Sequence, residues 1–411
     1  MTVQAIRQAG VSARADHQDS ILLSLDPWLL LPAVSLLMLG LVMVGSASIS
    51  IAEQQTGQPF YFLIRQSVYV GLGLGLAWGV WHLPMRLWQV AGPYLIIASV
   101  LMLSLLFIPG LGREVNGSLR WMALGPVNLQ VSEVVKLFVV IYLAGYLLRH
   151  NEAVRNEAGG FLRPLALMVL LSMLLLLEPD FGAVGVMMAT AMGMMWLGGA
   201  RLLQFLLLGM GMLGMLGMLA VAAPYRMARL TTFLNPWADP YNSGFQLTQA
   251  LIAFGRGEWL GVGLGSSVQK LFYLPEAHTD FLFAVMAEEL GLVAVVLVIT
   301  LFLVIVLRAL YIGQRAEKQE HLFMAYVAYG LGIWIGLQAF INIGVNMGVL
   351  PTKGLTLPLM SYGGSSMMVM CIAMALLLRI EYETRVGTMR HEAKRHKPVV
   401  KTSLHGRTGH V

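Results

Sequence analysis

Glu133, Lys136, Glu288 and Glu289 fall inside stretches that are otherwise almost wholly apolar. Ionisable groups at membrane depth are costly, so each is a functional candidate. They belong to five polar clusters. The first runs from Arg113 through Asn116-Gly-Ser-Leu-Arg120-Trp121 into Gly125-Pro-Val-Asn-Leu-Gln-Val-Ser-Glu-Val-Val-Lys136. Pro126 and Ser132 suit a loop turning into a helix, which sets Glu133 and Lys136 three apart on one helical face. That pair either neutralises itself or forms the polar wall of a cavity. The second cluster, Glu178-Pro-Asp-Phe-Gly182, is a tight turn whose two carboxylates could hold a metal or anchor neighbouring basic groups. The third is the segment 224–279, which opens with Tyr225-Arg226-Met-Ala-Arg229 and carries Lys270 and His278 near its end. Its apolar content suggests that it folds back onto the bundle or lies in the interface. In the fourth, Leu274-Pro-Glu-Ala-His-Thr-Asp-Phe281, Thr279 or Asp280 would cap the helix that follows. Glu288 and Glu289 then lie roughly 12–14 Å deeper at 1.5 Å per residue. They need polar partners, and Asn342 and Asn346 are candidates. The fifth cluster runs from Asn342 to Lys353 and on from Gly354 to Ser366, breaking helicity repeatedly. Irregular backbone near membrane depth survives only when it is buried in protein or lines a wet cavity.

Apolar spans must position these clusters. Hydrophobic residues make up 57% of the 411 and charged residues 12%, against about 25% charged in soluble domains. Mean hydropathy is +0.73. The chain reads as an integral membrane protein, an all-α bundle of ten transmembrane helices. A span needs about 20 mostly apolar residues, and ten candidates lie near 27–50, 61–82, 89–109, 131–148, 162–178, 182–200, 202–223, 280–307, 322–345 and 363–379. The first is too long and starts too late for a cleaved leader. About 18 Lys and Arg residues fall on the side of the termini, which places both termini in the cytoplasm. Residues 1–26 form a cytoplasmic segment, 27–379 the ten-span core, and 380–411 a basic cytoplasmic tail. The long segments, with 224–279 between spans seven and eight the largest, fall on the opposite, periplasmic face. Uneven spans and the single large loop argue against inverted transporter repeats.

Several chemistries drop out. One Cys excludes a disulfide framework and a thiolate metal cluster. Gly261-Val-Gly-Leu-Gly265 lacks the Lys-Ser/Thr ending of a phosphate loop. His150-Asn-Glu152 reads as a solvated loop without a downstream Cys pair. No His-Glu-x-x-His motif or nucleophile elbow occurs, and nothing indicates flavin, haem or nicotinamide. The basic balance suits a tail beside anionic lipid better than a nucleic-acid site.

These clusters, in this order, resemble the SEDS family of cell-wall polymerases. The motifs that match are Asn116-Gly-Ser-Leu-Arg-Trp121, Gln130-Val-Ser-Glu-Val-Val-Lys136, Glu178-Pro-Asp-Phe-Gly182, Pro275-Glu-Ala-His-Thr-Asp280, Ala287-Glu-Glu-Leu-Gly291 and Gly348 to Ser366. Val131 stands where the family usually has Pro, and Glu178 where it more often has Gln. Ser46-Ala-Ser48 and Gln58-Pro-Phe-Tyr-Phe-Leu-Ile-Arg-Gln66 are similar to the division branch of the family, with the elongation branch its closest competitor.

The resemblance implies polymerisation of lipid II into peptidoglycan strands, with Asp280 at the position of the family's catalytic carboxylate. It implies a class B penicillin-binding transpeptidase of the FtsI type as partner, and divisome regulators of the FtsQ, FtsL and FtsB type. An α-linked donor and a β-1,4 product need one inverting displacement. That calls for a general base on the acceptor hydroxyl and positive charge on the departing pyrophosphate. Arg120, Lys136, Lys270 and Lys353 are the candidate cations. Trp121, Glu133 and Ser361, inside matching motifs, join them as candidate substrate-binding residues. No motif demands a cofactor, although a divalent cation could assist pyrophosphate departure. A lipid II flippase and a structural division scaffold are the competing classes.

Overall fold

The structure, a computed structural model, describes residues 25–395 apart from 116–117, 125–126, most of 202–232, 243, 272 and 352–353. The span expected at 202–223 and the start of the large loop at 224–232 therefore lie largely outside the described residues, as does Lys353.

Helix α1, Pro27–Thr56, starts where sequence chemistry says it should. The Asp26 side chain accepts from the Trp28 N–H, Pro27 opens the first turn, and Gly57 closes the helix in the left-handed region at φ 70°. Asp26 also pairs with Arg308 from a distant helix, which fixes the entry of α1 against the bundle. Helices α2 (Tyr61–His82) and α3 (Met85–Leu105) follow. Then comes α4 (Val131–Asn156), most of whose residues are buried. It bends at His150, whose φ of −127° leaves the helical region and whose ring stacks on Tyr146 at 4.6 Å. Glu152 is thus helical and His150 marks the kink of α4, so neither belongs to the loop expected there. A tight connection leads to α5 (Ala158–Leu177), and the turn 178–180 leads to α6 (Phe181–Leu197).

The large loop is structured where it is described. A short 3-10 turn at Pro236–Ala238 precedes amphipathic α7 (Phe245–Gly257), which packs on α8 (Leu282–Lys318). Helix α8 runs beyond the expected span and is interrupted at Gly291, φ 71° and ψ −172°. The break lets the stretch after α7 dock against its backbone. Val262 and Gly263 donate to the carbonyls of Glu288 and Glu289, and Leu292 and Val293 donate to those of Glu258 and Trp259. A Cβ on Gly261 or Gly291 would collide with the partner backbone, and both glycines have positive φ, so this docking requires glycine at both places. Helices α9 (Leu322–Asn346) and α10 (Gly364–Arg395) complete the bundle, with α2 packed along α10.

Seven described helices are long and apolar enough to cross a membrane, and α6 is a shorter apolar helix. The protein is a mostly helical, multi-pass membrane protein. One element departs from the all-helical expectation. Residues 112–130 form a three-stranded antiparallel sheet, β1 (Gly112–Val115), β2 (Ser118–Leu124) and β3 (Val127–Gln130). Paired strands satisfy the backbone of a segment that leaves α3 and must return to α4.

Candidate active site

The sheet, the 178–180 turn, the entry to α8 and the segment 347–363 all meet at the end of the bundle that carries the long segments. Asp280 sits at their centre, just before α8. It does not cap that helix. The cap position is Phe281, with no side-chain hydrogen bond, and the Thr279 hydroxyl is turned back to Glu276. The Asp280 backbone is clamped instead: its carbonyl accepts from the amides of Asn342 and Asn346, both at 2.9 Å. Asn342 also donates to the Leu355 carbonyl at 2.6 Å. A methyl on Gly354 would lie 3.3 Å from Asp280 Oδ2, so that carboxylate faces the broken 347–363 segment. Burial, together with Glu276 and Asp180, pushes the Asp280 carboxyl up to about 7, and Arg120 opposes the rise. Next door the His278 ring lies between Phe62 and Tyr362, at 4.6 and 5.5 Å, where burial lowers its pKa.

Arg120 reaches the site from β2, where Trp121 stands in register with Arg113 and Gln130. Its guanidinium donates to the carbonyls of Glu178 and Pro179 and lies 4.0 Å from Asp180 Oδ2. The Glu178–Asp180 turn thus anchors a basic group, the second of its two sequence-level roles. Among the described residues no three His, Cys, Asp or Glu side chains gather as a metal centre. Asp180 is held in turn by Ser132 at 3.0 Å and by the Ala183 N–H. One turn into α4, Lys136 donates to Glu133 at 2.9 Å and to Gln338 at 2.7 Å, and lies over the Trp334 ring. Gln338 and Trp334 escaped the sequence reading. A lone amide four residues after a Trp in an apolar helix was the available signal.

Lys270, another of the candidate cations, is paired as Lys136 is. Its ammonium is buried, donating to Glu289 at 2.7 Å and to Ser46 at 3.0 Å. Glu288 is taken by Arg256 at 2.7 Å and by Ser267. Asn342 and Asn346 are therefore not the partners of the two glutamates. They serve Asp280, and the large loop together with Ser46 of α1 supplies the glutamates' partners. This network locks the loop onto α8 and α1. Replacing Lys270 by Met would strand Glu289, which is fully buried, and removing one member of a buried pair costs about 3–5 kcal/mol. A clear fall in the thermal midpoint in detergent is expected for Lys270→Met, with most of it recovered when Glu289→Gln is added. Ser361 is also spent on structure: its hydroxyl accepts from the Leu357 N–H and its carbonyl from Gln66.

Apolar helices long enough to cross a bilayer, several of them buried against one another, define a multi-pass membrane protein. Residues 27–386 match the family described as cell cycle protein, FtsW/RodA/SpoVE, and the chain belongs to that family. A relative from Nitrosococcus halophilus, named probable peptidoglycan glycosyltransferase FtsW, is 61% identical over 362 residues, covering 88% of this chain and 93% of the relative. One of the same name from Thioalkalivibrio sulfidiphilus is 56% identical, covering 93% and 94%. Among solved structures, a chain of a peptidoglycan synthase complex that coordinates polymerization and crosslinking is similar, with TM-score 0.72 and 30% identity over 88% of this chain and 98% of that one. The Thermus thermophilus rod shape determining protein RodA matches with TM-score 0.64 and 27% identity, over 87% and 96%.

Proposed function

We propose that this protein is a peptidoglycan glycosyltransferase that polymerises lipid II into β-1,4 glycan strands for septal wall synthesis. The observation that carries the chemistry is Asp280. Its backbone is pinned by two asparagines while, among the described residues, nothing hydrogen-bonds its carboxylate. A group so positioned and so uncommitted suits a general base. Asp280 takes the proton of the acceptor 4-hydroxyl as that oxygen attacks the donor anomeric carbon. The bond from that carbon to the pyrophosphate breaks on the opposite side, with inversion. Among the described residues Arg120 is the cation whose field reaches the base, and Lys136 and Lys353 are the further candidates for the pyrophosphate. Trp121 and Glu133 line the same cavity in this reading.

In the same reading ten helices span the bacterial inner membrane at the septum, with 202–223 as the seventh and both termini cytoplasmic. Residues 27–379 form the core, flanked by the segments 1–26 and 380–411. The partner is a class B penicillin-binding transpeptidase, under regulators of the FtsQ, FtsL and FtsB type. The test is reconstitution with that transpeptidase in vesicles containing lipid II. Glycan polymer is expected. Transfer of lipid II across the bilayer without polymer would replace the polymerase by a flippase, and neither outcome would leave a scaffold.

A further inference from the structure

Glu178 is fully buried at the turn between α5 and α6, and neither of its carboxyl oxygens meets a hydrogen-bond partner among the described residues. Its neighbours are committed elsewhere. Asp180 on the same turn is engaged by Ser132 of α4 and the Ala183 N–H. Arg120 of β2 donates to the carbonyls of Glu178 and Pro179, not to the Glu178 carboxyl. Glu133 and Lys136 on α4 are closed on each other. From the entry of α8, Asp280 shares the field of Arg120 and Asp180. From the 347–363 segment, uncharged Leu355 packs on Gly182. A carboxylate buried without donors takes up a proton in preference to staying ionised.

We propose that Glu178 is a positioning residue that works in its neutral form: uncharged, it leaves the Arg120 guanidinium to Asp180 and Asp280, and ionised, it draws Arg120 onto itself and halts polymerisation. The proposal rests on the polymerase reading above. Burial first, then Asp180, pushes the Glu178 carboxyl up to about 8 against the pull of Arg120. The switch therefore lies on the alkaline side of the pH range. A neutral glutamic acid has the shape of glutamine, so Glu178→Gln fixes the working state.

The experiment measures initial polymerisation rates of the reconstituted complex from about pH 6 to about 10 for wild type, Glu178→Gln and Glu178→Met. Wild type should fall about tenfold per unit above the Glu178 pKa. Both variants should hold their neutral-pH rate within about threefold and stay level above about pH 8, where wild type falls. An infrared titration of wild type should show a protonated carboxyl losing its proton over the interval in which the rate falls. A level wild-type profile, a Gln variant that declines in parallel with wild type, a folded Gln variant dead at neutral pH, or an infrared titration without that carboxyl would each overturn the proposal. If both variants misfold, the wild-type profile and the infrared titration decide it. Asp280→Asn in the same series separates the two readings. A rate equal to wild type there removes the base assignment, whereas a dead Asp280→Asn beside an active wild type leaves only the role of Glu178 at stake.

Discussion

Asp280→Asn is expected to fold, to bind the proposed transpeptidase partner, and to lose about 10²–10⁴-fold in glycan synthesis, the usual cost of removing a general base. The fold should survive because the clamp on this residue grips its carbonyl, which Asn keeps. Charge also argues for an intact fold. The Asp280 carboxyl is raised from 3.8 to about 7 in the folded protein, so the folded state holds the proton more tightly than the unfolded chain. Such a group favours the fold below its ordinary pKa, and that benefit is lost as pH rises through the folded value. At neutral pH and above, Asn therefore relieves a cost. The same shift sets the acid side of the rate profile. A base must be ionised to act, so on the acid side the wild-type rate should climb about tenfold per unit up to about pH 7, where this limb ends, before the alkaline fall assigned to Glu178 begins near 8. Polymerisation by Asp280→Asn at near wild-type rates, or a wild-type rate already level well below that pH, would remove Asp280 from the role.

Some of this was legible in the sequence and some was not, and the division has a physical cause. Apolar runs set the helices because each run must be long enough to bury its own backbone in lipid, a local requirement. The Glu178–Asp180 turn and the entry at Asp280 were legible for the same reason, being marked by Pro, Gly and acidic residues in short order. Pairings across the chain were not. Ser46 meets Glu289 across 243 residues, and Gln338 meets Lys136 across 202. No local pattern announces which polar group a buried charge will find. That is why Asn342 and Asn346 looked like partners for the glutamates, and why the pairing of Lys270 with Ser46 and Glu289 was not foreseen. The sheet was hidden because two of its three strands have only four residues, too few to show a clear alternation.

The pair Glu133–Lys136 decides between a structural and a functional reading of the cavity wall. Both side chains are almost entirely buried. Lys136→Met leaves Glu133 charged and unpaired, a loss of about 3–5 kcal/mol, and should abolish activity along with much of the stability. A charge swap, Glu133→Lys with Lys136→Glu, should not repair the damage. At 136 the surroundings are built for a cation: Gln338 presents its carbonyl oxygen, which also accepts from Trp334 at 2.9 Å, and the Trp334 ring face lies 5.4 Å from the ammonium. A carboxylate there would meet an acceptor and the negative face of a ring. Turning the Gln338 amide round would break its bond to the Thr356 carbonyl, which ties it to the segment facing Asp280. The decisive variant is Glu133→Met with Lys136→Met. Replacing both members of a buried pair by apolar groups is often neutral for stability, so the thermal midpoint should return close to wild type. On the proposed pyrophosphate role of Lys136, polymerisation should stay lost. If the double Met protein polymerises lipid II as wild type does, the two residues only neutralise each other and the cavity wall carries no charge that the reaction uses.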